Sequence, residues 1–272
     1  MPQLNVLFWN VGRKDLTEQI VNLARSKEVD ILVLAENPVE STLLKTALEE
    51  GTNFSFYAGI SVCKKITLVT KFDNNQVATI RENSRMTIRK IQLSDCPVFL
   101  FAALHLMDKR SASNHSQTIE AQQFVSFLDE IEQEYKTNRL VVVGDFNMNP
   151  FDIGMITASG FHASMSRQVA QRQSRKVQGK SYSYFYNPCW GLLGDIHKDI
   201  PGTYYYKPSG HDSYGWNVLD QVILRPSLIS NFVKESLEII HTDGVNSLIT
   251  TNQVPRRSVY SDHLPLFFTL KF

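Results

Sequence analysis

Nothing in this 272-residue chain approaches the roughly 18 consecutive apolar residues that a membrane span requires. Cysteine is scarce. The three present, Cys63, Cys96 and Cys189, are widely spaced, cannot all pair within one chain and form no C-x-x-C metal motif, so reduced thiols are expected. An excess of one charge is also missing. Lys and Arg number 28 against 27 Asp and Glu, so the total charge argues neither for nor against a polyanionic partner. No basic segment or cleavage site precedes Leu4–Trp9, so no secretory signal is expected, and with reduced thiols the expectation is a cytoplasmic protein. Repeats, low-complexity tracts and linkers are absent too, which favours one domain over residues 1–272. Between Asp152 and Asp195 there is no acidic residue at all.

What is present centres on Leu140–Pro150, where Leu140-Val-Val-Val143 reads as a buried strand broken at Gly144. It delivers Asp145 and Asn147 at its end, where α/β sheets place their chemistry; the plain alternative is a turn whose backbone these two side chains bond. Upstream, strand patterns at 3–9 and 30–35 alternate with helical spacing at 15–27 and 39–50. Short strands are expected at 54–58, 66–71, 76–80, 86–93 and 98–104. A helix follows at 116–135 with Ile119, Phe124, Phe127, Leu128 and Ile131 on its apolar side, and a short helix at 152–160. Residues 161–217 are the least regular part. Strand patterns return at 218–224, 232–240 and 266–272.

Five of these strands end in, or lead out of, a polar cluster: Asn10, Glu36, His105, Asp145 with Asn147, and Asp262 with His263. A sixth carries Asp220. No Ser or Cys nucleophile stands among them. Oxygen ligands of this kind suit Mg²⁺ or Mn²⁺, and the isolated thiols argue against structural zinc.

Trp9-Asn10, Ala35-Glu36, His105-Leu106, Gly144-Asp-Phe-Asn147, Leu219-Asp-Gln-Val222 and Ser261-Asp-His-Leu-Pro265 resemble, in this order, the endonuclease/exonuclease/phosphatase superfamily of pancreatic deoxyribonuclease-like phosphoesterases. The resemblance spans positions 9 to 272. It implies an α/β four-layer sandwich, two packed β-sheets flanked by helices, with a metal-dependent phosphoesterase site at one rim. It implies that Glu36 is the principal metal ligand, with Asn10 and Asp262 nearby. Asp145 would align or deprotonate the attacking water, and Asn147 would hold the phosphate or that carboxylate. Asp220 would pair with His263, and a charged His263 would bind the scissile phosphate beside His105. One departure concerns the arginine or tyrosine that many relatives carry downstream of the histidine matching His105. Here His115 and Gln117 occupy that stretch.

The acid-free stretch holds Arg167, Arg172, Arg175, Lys176 and Lys180, followed by aromatics that include Tyr184 and Trp190; Tyr205 and Trp216 lie further on. Phosphate-backbone contact plus base stacking is the expectation, with nucleic acid as substrate and these nine residues as its binding surface. The alternatives are a phosphatase or phosphodiesterase on a small molecule or lipid headgroup, and a catalytically inactive binding module. Gly215-Trp216 followed by Leu219-Asp220-Gln221 departs from the Pro-Ala-Trp and Asp-Arg pattern of inositol-phosphatase relatives. Intact Glu36, Asp145 and His263 disfavour the inactive module.

Overall fold

The computed structural model describes residues 3–94, 96–196, 200–207, 211 and 213–272. β1 (Gln3–Asn10) is buried from Leu4 onward, and α1 (Thr17–Ser26) carries the chain to β2 (Ile31–Ala35), parallel to β1. α2 (Ser41–Thr52) leads to β3 (Tyr57–Ala58) and β4 (Ile66–Thr70). β5 (Val77–Glu82), β6 (Met86–Ile91) and β7 (Phe99–His105) form an antiparallel run, after which α3 (Asn114–Glu134) crosses to β8 (Leu140–Asp145), parallel to β7. The irregular region contains α4 (Ile153–Ile156), β9 (Ala163–Ser164) and α5 (Arg167–Ala170). It continues with a ribbon of β10 (Ser174–Val177) and β11 (Lys180–Ser183), then β12 (Phe185–Tyr186) and a short 3-10 helix at Pro188–Leu192. A second small ribbon pairs β13 (Tyr204–Tyr205) with β14 (Trp216–Asn217). β15 (Asp220–Leu224), β16 (Phe232–Ile239) and β17 (Leu266–Lys271) follow.

The long strands form a six-stranded sheet, β16-β17-β1-β2-β4-β3, and a seven-stranded sheet, β5-β6-β7-β8-β15-β12-β9. Period-two alternation explains why β7 and β8 are apolar on both faces. Phe99, Phe101, Ala103, Val141 and Val143 join the core shared with the first sheet, whereas Leu100, Ala102, Leu104, Leu140 and Val142 pack under α3 with Phe124, Leu128 and Ile131. The crossover helix α1 has to lie on the first sheet's outer face, because its inner face is filled by the second sheet. The layers are therefore helix, sheet, sheet, helix.

Several boundaries differ from the sequence pattern. α3 begins at Asn114 because Ser113 caps it, accepting from the Ser116 amide at 3.1 Å. Ile119 faces solvent, 40% exposed, and Gln117 and Ala121 complete the buried stripe instead. The helix expected over 152–160 keeps only Ile153–Ile156, and the strand at 54–58 shortens to Tyr57–Ala58. All three cysteines are free and buried. No helix among the described residues is long and apolar enough to cross a membrane.

Parallel pairing sets the location of the polar cluster. β1 and β2 end together at Asn10 and Ala35, β7 and β8 end together at His105 and Asp145, and antiparallel β15 starts at Asp220 opposite Asp145. One rim of the two sheets thus collects their polar ends.

Candidate active site

Asp145 lies at the centre of this rim, 1% exposed. The strand can deliver it because residue 144 is glycine: a Cβ there would stand 2.0 Å from the Leu104 carbonyl oxygen of neighbouring β7. The Asn10 side-chain amide donates to Asp145 Oδ2 at 2.9 Å, and the Asn147 backbone N–H donates to Oδ1 at 2.8 Å. Asn147 adopts φ +51° and donates its own side-chain amide to the Leu106 carbonyl, so it supports the loop around Asp145. Burial pushes the Asp145 carboxyl up to about 7; Asp220 adds to the rise, while His263 opposes it.

Asp220 and His263 form a hydrogen-bonded pair, Oδ2 to Nδ1 at 2.8 Å, and Asp220 is fully buried with Oδ1 lacking a partner among the described residues. Thr203 Oγ1 accepts from the amides of both Leu219 and Asp220, and the Thr203 carbonyl accepts from the Leu264 amide, tying the two segments together. Ser261 Oγ accepts from the His263 amide and donates to the Asn10 carbonyl. Trp9 Nε1 donates to the His263 carbonyl. Tyr204 packs its ring on His263, centroids 4.7 Å apart. Burial of His263 disfavours its charge, but Asp220 and Asp145 outweigh that and raise its pKa to about 10.

His105 is the opposite case. Burial, followed by the nearby charges of Lys65 and His263, lowers its pKa to about 3, so its imidazole is neutral. Its Nε2 lies 3.5 Å from Asp145 Oδ2 and 3.8 Å from Glu36 Oε1. Glu36, just past β2 with φ +52°, also faces Arg13 Nε at 3.3 Å and Lys65 Nζ at 3.8 Å. Asp262 comes to the same turn: its Oδ1 would lie 3.4 Å from a Cβ at Gly12, whose amide donates to Asn10 Oδ1.

Two arrangements here have metal-ligand chemistry. Ligand atoms of Asp145, Asp220 and His263 all lie within 4.8 Å of one another. His263 commits its Nδ1 to Asp220 in a 2.8 Å hydrogen bond, and against its burial Asp220 and Asp145 together raise its pKa, so this trio has the geometry of an acid–base unit. Glu36, Asn10 and Asp262 instead offer oxygen atoms around the Gly12 turn. The Asp262 carboxylate has no hydrogen-bond or ion-pair partner among the described residues.

The structure brings Asn10, Glu36, His105, Asp145, Asn147, Asp220, Asp262 and His263 to one rim. Tyr205 and Trp216 pair edge to face at 5.4 Å on the β13–β14 ribbon, on the face opposite Tyr204, which is the ring of this ribbon that meets His263. Trp190 packs near Phe151, centroids 6.3 Å apart, just past the Asp145 loop. The basic group is not brought there. Arg167 is a structural side chain, its guanidinium donating to the carbonyls of Ile229 and Phe232. Tyr184 is buried and stacked on His162. Arg172, Arg175, Lys176 and Lys180 lie on or beside the β10–β11 ribbon, whose following strand meets β15 at Leu224, the end away from Asp220. His115 is exposed, and Gln117 holds the Met107 and Asn147 carbonyls. Thr203, Tyr204, Arg13 and Lys65 carry no motif that marks them; the Thr203–Tyr206 run signals aromatic surface but not which ring meets His263.

No protein-family model and no curated protein sequence matches the chain. Solved structures do match it in fold. The human Nocturnin catalytic domain with bound sulfate is 16% identical, with 100% of this chain and 95% of that chain covered at a TM-score of 0.57. An endonuclease/exonuclease/phosphatase family protein from Bacteroides thetaiotaomicron is 12% identical over 99% and 98%, TM-score 0.56. D. rerio TDP2 complexed with single-strand DNA product is 13% identical over 100% of both chains, TM-score 0.55.

Proposed function

We propose that this chain, which has the fold of endonuclease/exonuclease/phosphatase family proteins, is a divalent-metal-dependent phosphoesterase that hydrolyses nucleic-acid phosphodiester bonds by direct attack of water. The observation that carries the reading is geometric: a buried Asp145 carboxylate held by Asn10 and Asn147, with the Asp220–His263 pair at 2.8 Å and His105 Nε2 at 3.5 Å beside it. Burial pushes Asp145 up and His105 down, and against the burial of His263 its acidic neighbours push it up. Asp145 is suited to take a proton from water near neutral pH, held in place by Asn10 and Asn147. Protonated His263 presents Nε2–H toward a phosphoryl oxygen while Asp220 fixes Nδ1–H. Neutral His105 supplies a hydrogen-bonding ring beside them. Glu36, Asn10 and Asp262 fit a hard divalent cation by donor type, and we assign them to Mg²⁺ or Mn²⁺. Such an ion supplies charge neutralisation at the phosphate. We ascribe the activity to one domain, since β1 and β17 from the two ends of the chain are paired neighbours.

The nucleic-acid part rests on Tyr204, whose ring packs on His263 at 4.7 Å, and on the aromatic residues Tyr205 and Trp216 of the same ribbon. The likeness in fold to TDP2 complexed with single-strand DNA product is consistent with it. Purified protein with Mg²⁺ or Mn²⁺, offered single- and double-stranded DNA, RNA and phosphomonoesters, tests this directly. Chelator-sensitive cleavage of a polynucleotide is expected. Hydrolysis confined to small phosphoesters would move the substrate to that class, and none at all would sink the enzymatic reading.

A further inference from the structure

We infer that the β10–β11 ribbon is an exosite for the phosphate backbone of a polynucleotide, set apart from the catalytic rim; this rests on the nucleic-acid reading above. Val177 and Lys180 pair across a two-residue loop in which Gln178 and Gly179 both have positive φ, the turn that matches the twist of a tight hairpin. Arg175 pairs with Tyr182, so Arg175, Lys180 and Tyr182 share one face, with Lys180 Nζ 5.1 Å from the Tyr182 ring centroid. Lys176 points to the other face, and Arg172 stands in the turn before the ribbon.

Arg172, Arg175, Lys176 and Lys180 are all exposed, and none makes an ion pair among the described residues. Surface cations elsewhere among the described residues are paired in part, as in Lys45–Glu49 and Lys109–Asp152, and unpaired in part, as at Lys64 and Lys136. What sets the ribbon apart is four such cations within residues 172–180 and no acidic residue from 153 to 194. Arg175 and Lys180 stand diagonally on one face of this two-stranded ribbon, and no acidic residue within it offsets them. The ribbon is nonetheless anchored: the Tyr184 amide donates to the Gln173 carbonyl, Arg225 Nη1 donates to the Tyr184 carbonyl, and Tyr184 stacks on His162. An anchored, uncompensated basic β-ribbon matches a nucleic-acid backbone, and a ribbon of two strands is also what a duplex major groove admits.

Its position sets a length requirement. The root lies at the Leu224 end of β15, about 13 Å along the strand from Asp220 at roughly 3.3 Å per residue. A substrate shorter than that cannot touch both places, whereas one of about 30 nucleotides can. The test compares kcat/KM for oligonucleotides of about 3 and about 30 nucleotides across a salt series, in wild type and in R172Q/R175Q/K176Q/K180Q. Wild type should prefer the long substrate. The neutralised variant should lose that preference, and its salt slope should flatten by about 1 for each phosphate it no longer neutralises. The charge-keeping variant R172K/R175K should retain both, which separates charge from ribbon integrity. An unchanged length ratio and slope in the neutralised variant would overturn the exosite while leaving the hydrolase reading intact. Cleavage of neither oligonucleotide would overturn the nucleic-acid reading, and the exosite with it.

Discussion

Asp145 and Asp220 face each other directly across β8 and β15, both almost fully buried, with His263 reaching both. Its Nδ1 is 2.8 Å from Asp220 and its Nε2 is 3.9 Å from Asp145. Two opposed carboxylates in a dry site cannot both ionise cheaply, so the imidazolium between them is what makes the arrangement tenable.

Asp220 and His263 should therefore behave as one unit. Asp220→Ala and His263→Ala should each lower turnover by a similar factor, on the order of 10² or more. The double variant should be little worse than the worse single one. Effects that multiply in the double variant would dissolve the pair.

Glu36 should matter through the metal. Glu36→Gln should lower activity on the order of 10²-fold or more, and chelator should abolish wild-type activity. Mg²⁺ or Mn²⁺ should also raise the wild-type melting temperature and leave the variant unmoved. Equal thermal shifts in both proteins would remove Glu36 from the ligand set.

Gly144→Ala tests how Asp145 is delivered. The added methyl would meet the Leu104 carbonyl at 2.0 Å, backbone that cannot swing aside. Destabilisation of about 3 kcal/mol or more is expected, read from urea unfolding. A variant as stable as wild type would mean that β7 and β8 approach less closely.

Legibility in the sequence follows the range of the interactions involved. Leu140–Asp145 is readable because both its faces are buried, which leaves a continuous apolar run. The polar strand ends are readable because parallel pairing gathers such ends at one rim. Ile119 misleads because residues near one another on a helix can swap the edge of the buried stripe, and Gln117 finds backbone partners inside. The basic cluster is legible as charge, but not as position. Composition reports that acids are missing from 153 to 194, and only the pairing of Tyr186 with Leu224 reveals that the ribbon hangs at the far end. Thr203 and Tyr204 depend on partners far along the chain and carry no local mark.

The last prediction concerns stability against pH in metal-free protein. Asp145 has its carboxyl raised by burial to about 7, from an ordinary value of 3.8. Between those two values the folded chain keeps a proton that the unfolded chain releases. Rising pH therefore drains stability across that window, the reverse of a salt-bridged carboxylate. His263 slopes the same way in a higher window: its folded pKa of about 10 exceeds 6.5, so its contribution is complete below about 6.5 and fades as pH climbs toward 10. Asp145→Asn removes the first effect and leaves the Asp220–His263 hydrogen bond in place. Relative to wild type, the variant should gain stability between about pH 4 and pH 7, by about 4 kcal/mol, and gain little more beyond. Urea unfolding at stepped pH reads the difference. A gap between variant and wild type that stays constant over that window would show that the Asp145 carboxyl titrates near its ordinary value, and the general-base assignment would lose its support.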